Sequence, residues 1–194
     1  MAKHKVVEKL VSEVYEATDQ EFGKWMWQHH VPVVAAKALD LSKEFSADAD
    51  LAVAGAWLHD FGDAFVHRFD KQHAAITTKE ITKVLKKAGY SKADVDIIVT
   101  EVIAPHSCKD GVLPTTLEGK VLATADALAH LTTDFYLQFT WMHLPDGKSY
   151  DEFRHWAVEK LDRDFRVKIQ FEDVQDEMIG RYLSLRDVFV SGLE

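Results

Sequence analysis

The sequence predicts an all-α protein, and three observations point there. Apolar residues recur at three- and four-residue spacing through most of the 194 residues. Few runs alternate with the two-residue period of a half-buried strand. The punctuation is that of helix ends, with Ser, Thr or Asp before apolar runs and Gly or Pro after them. No internal repeat, low-complexity tract or linker breaks the pattern, so residues 1–194 are expected to form a single domain.

In chain order, residues 3–18 set Val6, Val7, Leu10, Val11, Val14 and Tyr15 on one face of an amphipathic helix. An aromatic approach through Trp25 and Trp27 leads to a helix over residues 31–41, with Pro32 in its first turn. Residues 46–50 are polar and rich in capping types. They open a helix in which residues 51–58 have almost no polar face, as expected of a helix buried at the centre of the fold. Gly62 reads as its stop, and a loop runs from 63 to 71. Residues 73–88 form a helix closing at Gly89. Ser91 and Asp94 make a capping-box variant for a helix through Ile103, which Pro105 ends. Residues 117–131 are an apolar helix interrupted by one acid, Asp126. The aromatic run 133–144 is assigned to the core by default, and residues 145–148 to a turn. Ser149 and Glu152 cap a helix reaching about Phe165, and residues 171–190 form the last helix.

Composition narrows the function. A formal net charge of −9 argues against a protein that grips nucleic-acid backbone non-specifically, so a polyanionic substrate would need a local cation. The single cysteine, Cys108, excludes an internal disulfide and fits a reducing cytosol. The N-terminus is charged and amphipathic, unlike a signal peptide, and no apolar run is long enough to span a bilayer. A cytoplasmic protein with no membrane partner is expected.

The chemistry is suggested by polar residues in apolar surroundings. His59-Asp60 lies at the end of the most hydrophobic helix, where a carboxylate beside an imidazole is costly unless it is hydrogen-bonded or holds a cation. Asp126 poses the same problem, and His30, His73 and His106 lie near other helix ends. His30, His59, Asp60 and Asp126 would make an open N/O shell for a divalent cation, with positions left for water and a substrate oxygen. The remaining histidines, including His29 and His130, have no partner in this pattern and are expected at the surface or in local hydrogen bonds. Trp25, Trp27, Phe61 and Phe65 flank the ligands and could stack on a base, although such spacing more often marks core. Cys108 near His106 has no activating arrangement and reads as a plain thiol.

The order His…His-Asp…Asp resembles the HD-domain superfamily of metal-dependent phosphohydrolases, over roughly residues 25–132. The local wording agrees. Residues 30–39 resemble the first-ligand helix, with Val and Ala four and eight positions after the histidine, which favours His30 over His29. Residues 56–63, Ala-Trp-Leu-His-Asp-Phe-Gly-Asp, resemble the central doublet, and residues 118–128 the segment bearing the last aspartate. One departure is Val33, where many relatives carry Arg, so no contact made by that Arg carries over.

The resemblance implies an HD-type core over about 25–132, with the helices of 133–194 packed on it. It also implies one or two divalent ions (Mn, Mg, Co, Ni, Fe or Zn) held by His30, His59, Asp60 and Asp126. Activated water would attack the phosphorus of a small phosphate ester, a nucleotide for preference. His73 and His106 match positions used for phosphate or a second metal. Asp63 matches an acidic position of nucleotide-hydrolysing members and is the candidate to orient or deprotonate water, with Asp60 beside it. Arg68, Lys71 and Lys120 are candidate phosphate clamps. Two rivals remain: a di-iron oxygenase using all six His and Asp ligands, and a non-catalytic metal- or nucleotide-binding module. A homodimer is left open.

Overall fold

A computed structural model describes residues 2–143 and 149–191, with backbone alone for 140–143. The turn expected at 145–148 lies outside the described residues, and so does the side chain of His143. Ten α-helices are described, and no strand occurs among the described residues: α1 Lys3–Glu16, α2 Glu21–His29, α3 Val31–Glu44, α4 Ala49–Leu58, α5 His73–Lys87, α6 Lys92–Ile97, α7 Leu117–Thr132, α8 Phe135–His143, α9 Tyr150–Arg163 and α10 Glu172–Val190. Two helices widen into π turns, α6 over Ile98–Ile103 and α9 over Asp164–Lys168.

The organising element is α4, whose residues from Ala52 to Leu58 are all buried. It packs against α1, α3, α7 and the π turn that follows α6. Small residues let these neighbours approach closely: a Cβ on Gly55 would stand 2.6 Å from Val102 Cγ1. Each large side chain buried here, such as Leu58 at 0% exposure, stabilises the fold by roughly 1.5–3 kcal/mol. The helix starts where the Asp48 carboxylate accepts from the backbone N–H groups of Asp50 and Leu51, at 2.8 and 3.3 Å.

Its C-terminal end differs from the expectation. Gly62 is not a left-handed stop; it lies inside a 3₁₀ turn, Phe61–Ala64, that continues directly from the His59-Asp60 step. Glycine is needed there for space, because a Cβ would fall 1.9 Å from Thr77 Oγ1 and 2.7 Å from His73 Nε2. Two hydroxyls from the N-terminal region hold the turn: Tyr15 donates to the Asp60 carbonyl at 3.0 Å and Thr18 to that of Ala64 at 2.6 Å. The burial of His4, Val7, Val11 and Tyr15 makes α1 the support of the doublet.

The other helix signals have physical counterparts. Both capping boxes form, Ser91 with Asp94 and Ser149 with Glu152. Gly89 takes φ +84° just past α5, a left-handed conformation that costs glycine nothing. The aromatic approach is itself a helix, α2, and Trp25 and Trp27 pack into aromatic neighbours: Trp25 against Phe22 and Phe135, Trp27 against Tyr15 and Trp57. Val33 is half-buried against the core.

Candidate metal centre

Three segments of chain bring four candidate ligands, two His and two Asp, to one point. His30 stands at the break between α2 and α3, where φ −128° and ψ −64° interrupt the helical path and turn the ring inward to 2% exposure. Its neighbour His29 is exposed. His59 caps the end of α4, Asp60 follows it, and Asp126 projects from the middle of α7. His30 Nε2 lies 3.2 Å from His59 Nε2, 3.1 Å from Asp126 Oδ1 and 3.9 Å from Asp60 Oδ2. His59 Nε2 lies 3.3 Å from Asp60 Oδ2 and 3.8 Å from Asp126 Oδ1.

Two features fit this cluster to a cation. Asp126 Oδ1 is sealed from solvent and accepts no well-aligned hydrogen bond although His30 and His130 Nε2 stand 3.1 and 3.2 Å away, a costly state for a carboxylate oxygen that a metal ion relieves. The ring of His59 is oriented to ligate: Nδ1 is 2.8 Å from the Ala56 carbonyl, which can only accept, so a proton is held on Nδ1 and Nε2 faces the cluster, free to ligate when the ring is neutral.

The charge states suit the same role. Burial would raise the Asp126 carboxyl, but His130 and Lys168 outweigh it and hold the group well below the usual carboxylate range. Burial likewise opposes ionisation of Asp60, and Arg68 and His59 overcome it. Burial drives His30 down, His106 to about 4 and His130 to about 3. Near neutral pH the aspartates are therefore charged and these three imidazoles neutral, the forms that bind metal.

His130, expected to be peripheral, is part of the centre. It lies one helical turn after Asp126 on α7, with Nε2 3.2 Å from Asp126 Oδ1 and its ring stacked on His30 at 5.0 Å and 9°. His30, Asp126 and His130 form a second group able to share an ion, beside His30, His59 and Asp60. The far nitrogen, Nδ1, is 2.9 Å from Asp164 Oδ2, and Asp164 also accepts from Tyr136 Oη at 2.6 Å and Lys160 Nζ at 3.0 Å. Lys168 donates to Asp126 Oδ2. Because 164 and 168 span a single π turn, both point inward.

The other expected site residues divide. Arg68 reaches Asp60 Oδ1 at 2.9 Å and forks onto the Asp63 carboxylate. Asp63 has a fully buried side chain bound by Arg68 and by His73 Nε2 at 3.0 Å, so its oxygens face these partners. His106 donates from Nδ1 to the Ile103 carbonyl at 2.6 Å, and its ring stands edge-on to His59 at 5.3 Å. A cavity of about 660 Å³ opens over the cluster, lined by His59, Asp60, Asp126, His130, Arg68, His73 and His106 among others. Asp63, Lys71, Lys120, Trp25, Trp27, Phe61 and Phe65 do not line it. Its aromatic wall is Phe69, Phe135, Phe139 and Trp156. Cys108 is buried, and burial raises its thiol away from nucleophilic range.

With this geometry in place, comparison with known proteins gives the family. Residues 26–131 match the HD domain, and the chain belongs to that family. The HD superfamily is one of metal-dependent phosphohydrolases whose domains bind divalent metals, and the His/Asp cluster is compatible with such a site. The chain is also similar to Ribonuclease Y of Rubrobacter xylanophilus, 26% identical over 167 residues. That match covers 82% of this chain and 30% of the relative's length. No solved structure gives a significant match. No described helix is long and apolar enough to cross a membrane.

Proposed function

We propose that the protein hydrolyses a phosphate ester or anhydride of a small phosphorylated molecule, a nucleotide for preference. The observation that carries this reading is the coincidence of an N/O ligand cluster, with an orphaned carboxylate oxygen, and a cation-lined cavity opening directly onto it. Bound there by His30, His59, Asp60 and Asp126, a divalent ion would supply a water nucleophile at neutral pH and neutralise a phosphoryl oxygen.

The chain's own residues supply the rest. Arg68 binds Asp60 and also lines the cavity, so its guanidinium can hold a phosphoryl oxygen beside the ligand cluster. Asp63 fixes Arg68 and His73 in place, and we assign it this positioning role in preference to direct proton transfer because it has no surface on the cavity. His73 presents its ring to the cavity from the N-terminus of α5 as a phosphate contact. His106, with its proton held on Nδ1, leaves a lone pair on Nε2 that can accept a proton from water.

The name of the ribonuclease relative implies phosphodiester chemistry, which the same arrangement could perform. The net charge of −9 favours a small ligand held inside the cavity over a long strand held on the surface. The test is release of phosphate and pyrophosphate from a panel of nucleotides and simple esters, with Mn, Mg, Co, Ni or Fe(II), beside Asp126→Asn. Metal-dependent release lost in the variant supports the reading. If the metal-loaded protein turns over no phosphorylated compound, the reading fails.

A further inference from the structure

We infer that the cavity contains a second anion subsite, formed by Lys109 and Arg163 and separate from the metal ligands. Its substrate would therefore carry two phosphate groups. This rests on the phosphohydrolase reading and narrows its substrate class.

The charges around the cavity are already paired except at this place. Arg68 is engaged by Asp60 and Asp63, Lys168 by Asp126, and Lys160 by Asp164. Lys109 and Arg163 also line the cavity, and neither has a carboxylate partner among the described residues. Arg163 Nε is sealed from solvent without a hydrogen-bond partner, although a guanidinium N–H in that state costs as much as any buried donor left unmet. An anion held by the Arg163 guanidinium, with Lys109 also on the cavity wall, would offset that cost. In a chain of net charge −9, two unpaired cations in one cavity form a local exception that suits a phosphate.

Two independent elements contribute these cations to the cavity. Trp156, Lys160 and Arg163 lie four and three residues apart on α9, so one stripe of that helix faces the cavity. Lys109 comes from the loop after His106, where Cys108 and Asp110 take left-handed φ values of 48° and 54°. Arg163 and Lys168 both lie near enough to Cys108 to act on its thiol, which places α9 beside this loop. Arg163 and the rest of α9 fall outside the part of the chain that matches the HD family, whereas the metal ligands all fall inside it. The catalytic end and the second anion site thus come from different parts of the chain, and the second sets which phosphorylated molecule is held.

The test is calorimetric titration of the Mn-loaded full chain with adenosine 5′-monophosphate, ADP and adenosine 3′,5′-bisphosphate. The better-bound bis-phosphate should bind about tenfold more tightly than the monophosphate, as expected for one added charge-assisted contact. The Arg163→Met/Lys109→Gln double variant should lose that preference while its affinity for the monophosphate changes by less than about threefold. Lys109 is exposed, so Lys109→Gln alone leaves the fold intact and should still cost at least about threefold on the bis-phosphate alone. Bis-phosphates bound no more tightly than the monophosphate, or a preference that survives both variants, would overturn the second subsite and leave the hydrolase reading standing. Failure of all three ligands to bind would overturn both.

Discussion

The cavity has two walls of different character. The inner wall, His59, Asp60 and Asp126 with His30 buried behind them, lies within the HD-matched residues and consists of metal-ligand types, of which all but Asp60 are buried. The outer wall, Trp156, Lys160, Arg163 and Lys168, comes from α9 and its π turn beyond the matched residues. Each wall keeps one buried polar atom unsatisfied, Oδ1 of Asp126 on the inner and Nε of Arg163 on the outer. The two deficits are complementary: a cation completes one and an anion the other. On the proposed function, this division would place the reaction at the inner wall and ligand choice at the outer.

The largest effects should come from the inner wall. Asp126→Asn removes one of the two carboxylates from the ligand cluster and should lower metal affinity and kcat/KM together by more than ~100-fold, measured by metal titration and phosphate release. An effect confined to KM would break the division, since it would place Asp126 in substrate binding.

One step outward, Asp164→Asn keeps the size of the side chain but weakens its hold on His130, Lys160 and Lys168. A loss of roughly 10–100-fold in metal affinity is expected, the usual cost of disturbing an outer-shell partner. If Asp164→Asn binds metal normally, His130 is only a packing residue.

Stability gives a third probe. A Cβ on Gly23 would stand 2.6 Å from the backbone oxygen of Asp63, so Gly23→Ala must displace the 3₁₀ turn that carries Asp63. The expected cost is about 1–3 kcal/mol in denaturant unfolding, and it should loosen the Asp63–His73 pair before the metal ligands.

The pH dependence follows from the histidines. His130 and His106 are held down to about 3 and 4 in the fold, against 6.5 when unfolded. The unfolded chain therefore binds more protons as pH falls below 6.5. Stability of the metal-free protein should be highest above that value and decline towards pH 4, by on the order of 3 kcal/mol for a buried group such as His130. The raised His59 opposes this in part. His130→Gln should flatten the slope of Tm between pH 6.5 and 4, and an unchanged slope would remove His130 as its source.

The smallest effects are expected at Lys71 and Lys120, neither of which lines the cavity. Their alanine variants should leave kcat/KM within about twofold, as surface substitutions usually do.

The same two walls show what could be read from the sequence. His59-Asp60 and Asp126 were conspicuous because charge in an apolar helix needs a reason, and the helix period placed each at a definable position. The all-α class followed from that period and from cap signals that have counterparts in the fold, Asp48 within the polar stretch 46–50 and the boxes at Ser91 and Ser149. His130 could have been found, because four residues after Asp126 on a helix is the same face. Lys160, Asp164 and Lys168 share that spacing, but on an otherwise polar helix such a stripe looks like any solvated surface. Only long-range packing, which brings the π turn that ends α9 against α7, turns it inward. The role of Asp63 was hidden for the same reason: its spacing from Asp60 is visible, but the enclosure by Arg68 and His73 depends on the loop between them.

The most direct measurement is the metal content of the purified full chain and of Asp126→Asn, determined by mass spectrometry after saturation with Mn and removal of loosely bound ion. The wild type should retain at least one tightly held divalent ion per chain, and the variant should lose it while keeping its helical circular-dichroism spectrum. A wild type that retains no ion, or a folded variant that retains as much as the wild type, would contradict the assignment of this cluster as the metal centre.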